Sequence, residues 1–263
     1  MVLALAAAAL AVFFVGPLVG LLERTPWREL PALLGEPEVR TALRLSLVCS
    51  LSATALSIVF GVPLAWLLGR TRFTGQSVVR ALVLLPMVLP PVVGGVALLL
   101  AFGRRGLIGQ WLDQWFGVRL PFTTAGVILA ETFVAMPFLV ITVEAALRSL
   151  DPRFEEAGAT LGAGRWTVFR RVTLPMIGPS LAAGAALTWA RALGEFGATI
   201  TFAGNFEGRT QTVPLAVFLA LETDPAAAIA LSLVLLAVSV TVLAVVGTRV
   251  LAGRRVDAVP VAS

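Results

Sequence analysis

Two ionisable residues, Arg191 and Glu195, lie four positions apart inside an apolar run. On a helix that spacing puts both side chains on one face, within reach of each other. A buried arginine in a membrane is costly and is kept only with a partner or beside a cavity. Two readings stand. The side chains neutralise each other as a structural pair, or Arg191 raises the local positive potential for a passing anion, with Glu195 as its partner or as a gate. Glu131, in another apolar run, is a further intramembrane acid that could join the network. Glu131 and Glu195 would also serve an intramembrane enzyme as an acid pair, but no recognisable nucleophile or metal site accompanies them.

A second cluster is the polar, arginine-rich segment 151–175. Asp151 and Pro152 can cap and start a helix. Phe154, Ala157, Leu161 and Trp166 fall close to helical spacing and give one apolar stripe. Gly162 and Gly164 mark its end or a sharp turn. Trp166, Val168, Phe169 and Val172 begin a second apolar face flanked by Arg165, Arg170 and Arg171. Such a helix at a membrane surface either docks a protein partner or lies on anionic lipid.

What is absent narrows the chemistry. The chain has 263 residues, is 58% hydrophobic and 13% charged, and carries a net charge of +5 without one Lys, His or Tyr. A phosphate-binding P-loop ends in a lysine. If ATP drives anything here, another chain must hydrolyse it. Without His, and with Cys49 alone, neither a zinc site nor Ser-His-Asp or Cys-His catalysis is expected. Cys49 reads as a small core or lipid-facing residue. No metal, no cofactor held by this chain and no nucleic-acid partner is expected.

The elements that must position these groups are apolar. Mean hydropathy is +0.95, which points to a bilayer as the natural solvent. Spanning takes roughly 20 apolar residues, and six stretches qualify: 2–22, 45–68, 78–102, 124–147, 181–203 and 227–250. The first lacks a basic leader and a small-residue cleavage site and reads as a retained helix. The expectation is one all-α transmembrane domain over 1–263.

The third stretch contains Pro86, Pro90, Pro91, Gly94 and Gly95, which break or kink a helix. Freed backbone groups in a membrane face protein or water, so this stretch is either a tightly packed kink or part of a pathway. Pro63 and Pro137 predict milder kinks. Trp111 and Trp115 suit an interfacial helix, and 213–221 is too short to span and reads as a re-entrant or surface helix.

With the N-terminus inside, the inner loops hold Arg70, Arg72, Arg80, Arg148, Arg153, Arg165, Arg170 and Arg171, and the tail adds Arg249, Arg254 and Arg255. The outer loops hold fewer: Arg24, Arg28, Arg40, Arg104, Arg105, Arg119 and Arg209. Arginine excess marks the cytoplasmic side, so both termini and 151–175 are expected there.

The order Glu156-Ala157-Gly158, three residues, Gly162, nine residues, then Val172-Thr-Leu174-Pro175 resembles the EAA motif of ABC importer permeases. Gly158 stands where the motif has its second Ala, and Val172 where it has Ile. The resemblance implies the type I, MetI-like permease fold with six transmembrane helices. It implies that the loop is a coupling helix seated in a groove of an ATP-binding subunit, with Glu156, Ala157, Gly158, Gly162, Ala163, Leu174 and Pro175 at or around that contact. It further implies two permease copies, as a homodimer, and two ATP-binding subunits that bind the ATP. Their closure on ATP would tip the permease from inward- to outward-open, and an extracytoplasmic binding protein would deliver substrate.

Ala192-Leu-Gly-Glu-Phe-Gly-Ala-Thr199 and Gly208-Arg-Thr-Gln-Thr-Val-Pro-Leu215 are similar to the molybdate/tungstate permease group, and sulfate and thiosulfate permeases are close to it here. By this resemblance the function is oxyanion import, with Arg191, Glu195 and Glu131 as candidates for the translocation path. An intramembrane arginine agrees in sign with a tetrahedral dianion but does not separate molybdate from sulfate. A channel without energy coupling would leave segment 151–175 unexplained.

Overall fold

The computed structural model describes residues 2–254, with side chains described except at 2–4, 7, 8, 243 and 245–254. Of the tail arginines expected on the inner side, Arg255 lies outside the described residues, as do the side chains of Arg249 and Arg254. Every regular element among the described residues is helical. In chain order they are α1 (Val2–Arg24), α2 (Leu30–Gly35), α3 (Pro37–Arg70), α4 (Gln76–Val88), α5 (Pro91–Phe102), α6 (Gly109–Phe116) and α7 (Thr124–Ser149). There follow α8 (Arg153–Thr160), α9 (Arg165–Val168), a π-helical segment (Phe169–Thr173), α10 (Leu174–Leu193), α11 (Gly197–Ala203), α12 (Val213–Thr223) and α13 (Pro225–Arg254).

Four of the six expected stretches lie within single helices, and two differ in kind from the expectation. The third, expected over 78–102, is two helices, α4 and α5, with Leu89 (ψ 136°) and Pro90 (ψ 132°) extended between them. A proline pushes the residue before it out of helical geometry, and Pro90 and Pro91 do so twice in succession. The fifth, expected over 181–203, runs without a break from Arg165 to Leu193 and then stops. Near its start Pro175 has no N–H to close the ordinary ladder. The turn before it widens, and Leu174 N–H donates to Phe169 O, five residues back. The second is also longer at its N-terminal end than expected: Pro37, in the first turn, starts a helix of 34 residues.

The core is where α3, α7 and α10 cross. Val62, Ala65, Leu68, Leu139, Val140, Val143, Leu147 and Ile177 pack as one buried cluster. At the next level Ala53, Ala135 and Ala192 meet. Small residues there let the helix axes approach closely, the usual basis of helix association in a membrane. Hydroxyls on one face of α3 tie in two further elements. Ser50 Oγ accepts Trp189 Nε1–H at 2.9 Å, and Ser46 Oγ accepts the Val213 N–H that opens α12 at 2.7 Å. Cys49 is fully buried beside Val127 and Ala203. Large apolar side chains elsewhere point outward, among them Phe13, Phe14, Val59 and Phe60, as a lipid-facing surface requires.

Candidate functional site

The two broken helices come together. α5 packs on α11 so closely that neither contact has room for a side chain: a Cβ at Gly95 would lie 2.7 Å from Thr201 Cβ and 2.9 Å from Ala198 O, and one at Gly197 would lie 2.8 Å from Pro91 Cβ. The start of α5, just after the first break, and the second break, Gly194–Phe196, therefore border the same space. It is a cavity of about 430 Å³, lined by Pro91, Val92, Arg191, Gly194, Glu195, Phe196 and Gly197. The proline-glycine stretch of the third span thus has its second half against a cavity that a charged pair also lines.

Arg191 and Glu195 do pair, Nη1 to Oε2 at 2.5 Å. Their setting differs from two rungs of one helix. α10 ends at Leu193, so Arg191 is in its last turn, where the helix dipole favours a cation. Glu195 stands in the break, and its other oxygen accepts Ala198 N–H at 2.8 Å, capping the start of α11. Gly194 offers no side chain to hold the chain helical, and the Glu195 carboxylate satisfies the new helix end instead. Glu195 is 2% exposed, whereas the Arg191 side chain keeps 29% of its surface open. The pair is electrically balanced, with its positive member toward the cavity.

Glu131 is not part of that lining. It sits on α7, 1% exposed, with Oε2 lacking a hydrogen-bond partner.

Segment 151–175 forms α8, a turn, α9, the π segment and the start of α10. Asp151 Oδ1 accepts Arg153 N–H at 3.0 Å, fixing the first turn of α8. At the other end Ala163 N–H donates to Gly158 O (3.1 Å) and Gly162 N–H to Ala159 O (2.9 Å). This double closure needs a left-handed residue at its corner, and Gly162 has φ +82°. Glu156 and Ala157 are exposed, Ala163 and Leu174 half-buried and Pro175 exposed. The motif's departure at Gly158 has a packing reason: a Cβ there would press on Val168 Cγ2 at 3.2 Å. Phe154, Leu161 and Trp166 stand exposed, and Trp166 stacks on Phe169 with ring centres 5.6 Å apart. Behind the loop lies a cavity of about 630 Å³ whose walls include Trp66, Arg70, Glu155, Glu156, Ala163 and Phe169.

Reading the sequence missed the groups that tie this loop to the membrane helices. Glu155 accepts Thr173 Oγ1–H at 2.7 Å and lies 3.4 Å from Arg70 Nε. Glu144 Oε1 takes Arg80 at 2.6 Å and Arg148 at 2.9 Å. One signal was available: Glu144, like Glu131, is an acid inside an apolar stretch.

A model of the family described as "Binding-protein-dependent transport system inner membrane component" matches residues 61–252. The chain belongs to this family. It is a multi-pass membrane component of a transport system and not an enzyme. Among family members, the molybdenum transport system permease protein ModB of Mycobacterium tuberculosis is 49% identical over 238 residues, covering 90% of each chain. ModB of Escherichia coli K12 is 44% identical over 191 residues, 73% of this chain and 83% of that one. The sulfate transport system permease protein CysT of Escherichia coli K12 is 39% identical over 232 residues, 88% and 83% of the two chains. In structure, a chain of a bacterial ABC transporter involved in the import of the acidic polysaccharide alginate superposes with a TM-score of 0.71. It covers 97% of this chain and 94% of its own, at 20% identity. The all-helical ABC importer permease fold expected from the sequence is the fold observed.

Proposed function

We propose that the chain is the transmembrane permease of an ATP-driven ABC importer for molybdate, with tungstate as the related substrate, passing the oxyanion inward by alternating access. One observation carries the reading: 49% identity over 90% of both chains to a molybdenum transport permease. Two permease copies, two ATP-binding subunits and an extracytoplasmic oxyanion-binding protein complete the transporter. The permease lies in the cytoplasmic membrane with both termini inside, a direction supported by the arginine excess of the inner loops.

Segment 151–175 is the coupling loop that docks the ATP-binding subunit. Its support is the EAA spacing together with a turn that demands glycine at Gly162 and an exposed apolar stripe beside it. Arg191 is the cavity-facing contact for the anion, and Glu195 holds it. A positive group at a helix break inside a membrane is the kind of site where transporters bind charged cargo. Glu131 takes the lesser role of a buried acid behind that path.

The sulfate reading is the alternative, favoured by the 39% identity to a sulfate permease. Binding by the partner binding protein, followed by uptake into proteoliposomes holding the assembled transporter, separates the two. Molybdate and tungstate should bind tightly and be taken up while sulfate is not. Uptake of sulfate in preference to molybdate would replace the main reading with the alternative.

A further inference from the structure

Neighbouring carboxylates on α8, both bordering the cavity behind the loop, differ in exposure and in partners. Glu156 is exposed, as a docking residue must be, but Glu155 is half-buried. Each oxygen of Glu155 has a partner on a different element. Oε1 accepts Thr173 Oγ1–H at 2.7 Å, from the π segment. Oε2 lies 3.4 Å from Nε of Arg70, in the last turn of α3. The Arg70 side chain is 11% exposed. Its Nη1 donates to Leu150 O at 3.2 Å, at the end of α7, while Nε and Nη2 make no well-formed hydrogen bond. Glu155 is therefore the balancing charge for a nearly buried cation, which is costly to leave without its balance.

From Arg70 the links continue into the membrane helices. Leu68 O, two residues back on α3, accepts Gln76 Nε2–H (2.7 Å), Arg148 Nη2–H (3.3 Å) and Arg80 Nη2–H (3.4 Å). Arg80 and Arg148 meet on the Glu144 carboxylate. That sequence of contacts joins α8 to the cytoplasmic ends of α3, α7 and α4, and α4 leads into the break beside Arg191.

We propose that the Glu155–Arg70 pair is the mechanical link by which the coupling helix moves the membrane helices, with Glu155 as a positioning residue beside the exposed docking residue Glu156. The inference rests on the docking reading of segment 151–175. Without the pair α8 can still seat on the ATP-binding subunit, but its displacement is no longer passed to α3.

The test uses the complete transporter, with its ATP-binding subunit and binding protein, in proteoliposomes. Glu155→Gln keeps the acceptor for Thr173 and removes the charge, and Arg70→Gln removes the other partner. In each single variant, and in the double, the ATP-binding subunit should co-purify at the wild-type ratio. Molybdate taken up per ATP hydrolysed, with sulfate run in parallel, should fall about tenfold, within the usual range of a coupling between sites. The double variant should be no worse than either single one, since both remove the same interaction. A role in stability alone would lower the yield of assembled complex and leave uptake per ATP intact, and that result overturns the inference, as does additive loss in the double variant. Ala163→Arg is the control for the docking reading: full co-purification of the ATP-binding subunit with that variant defeats docking itself. Wild-type uptake per ATP in Glu155→Gln, with Ala163→Arg unable to dock, defeats the link alone.

Discussion

Removing Arg191 should destabilise the protein, and removing the Glu195 charge as well should restore much of the loss. The asymmetry of burial gives the reason. Glu195 is 2% exposed in the wild-type protein, and Arg191→Met leaves its carboxylate with Ala198 N–H as hydrogen-bond donor. Stripping one partner from a buried pair costs about 3–5 kcal/mol. The cavity beside the pair is large enough for water, so the expected cost is about 3 kcal/mol, the low end of that range. In Glu195→Gln the amide oxygen still caps α11, and Arg191, with 29% of its side chain open, is partly hydrated. The loss should be about 1 kcal/mol, close to that of one modest polar interaction. The double variant has no unpaired charge and keeps the cap, so it should also sit about 1 kcal/mol below wild type. It should then exceed Arg191→Met by about 2 kcal/mol, a factor of roughly 30 in the folding equilibrium. Denaturant titration in mixed micelles, followed by tryptophan fluorescence and extrapolated linearly, reads these differences. If the double variant is no more stable than Arg191→Met, the argument from an isolated buried carboxylate is wrong. If Glu195→Gln costs as much as Arg191→Met, the cap and the exposure difference count for nothing.

Other changes test separate parts of the structure. Gly162→Val meets no neighbour within 4 Å, so its cost is backbone strain of about 1–2 kcal/mol. Co-purification of the ATP-binding subunit should drop about tenfold, and normal binding with normal uptake would sink the docking assignment. Gly95→Leu forces α5 away from α11 and should cost about 1–3 kcal/mol in the same titration. An unchanged midpoint there would mean that the two half-helices are not packed as described. On α6, Arg119, and then Arg104, hold the Asp113 carboxyl below its ordinary range through hydrogen bonds. A depressed value in the folded state contributes stability above the unfolded value and loses it as pH falls through the folded one. The Trp111–Trp115 pair on α6, with ring centres 5.3 Å apart, should therefore keep its fluorescence through the ordinary carboxylate range and change only below it. Asp113→Asn should abolish that step, and a step within the ordinary range in the wild type would contradict the assignment.

The helix and turn of segment 151–175 were legible in the chain because their signals are local. Asp151 before a helix, Gly162 at a left-handed corner and an apolar stripe between them can each be read within a few residues. The six apolar stretches were legible for the same reason. The breaks were only half so. Pro90 and Pro91 announced that the third span could not continue, but the fifth span gave weaker notice, because Gly194 alone does not end a helix. What ends it is Glu195 bonding to Ala198 N–H, together with α5 pressed against Gly197, and the second of these depends on a segment about a hundred positions earlier. Arg70 with Glu155 and Arg80 with Glu144 were illegible on the same ground. Each pair is local in space and remote in sequence, and no periodicity reports such a meeting.

The balanced charge at the break also bears on where selection can occur. A lone arginine at this depth would hold a dianion tightly and release it slowly. Conduction needs a site favourable enough to enter and weak enough to leave. On the proposed reading Glu195 would set that balance: it pairs with Arg191 while its other oxygen is held by the α11 cap. With Arg191 as the proposed anion contact, the cavity would offer an oriented dipole, positive side toward it, and would attract any oxyanion of suitable size with moderate strength. Discrimination between molybdate and sulfate, which share charge and shape, must then come chiefly from the partner that delivers them. Exchange of Arg191 for Lys should accordingly lower the rate of uptake several-fold without changing which anion is preferred, because ordering by a point charge is weaker than by a planar guanidinium. A reversal of preference in that variant would place selection at the break after all.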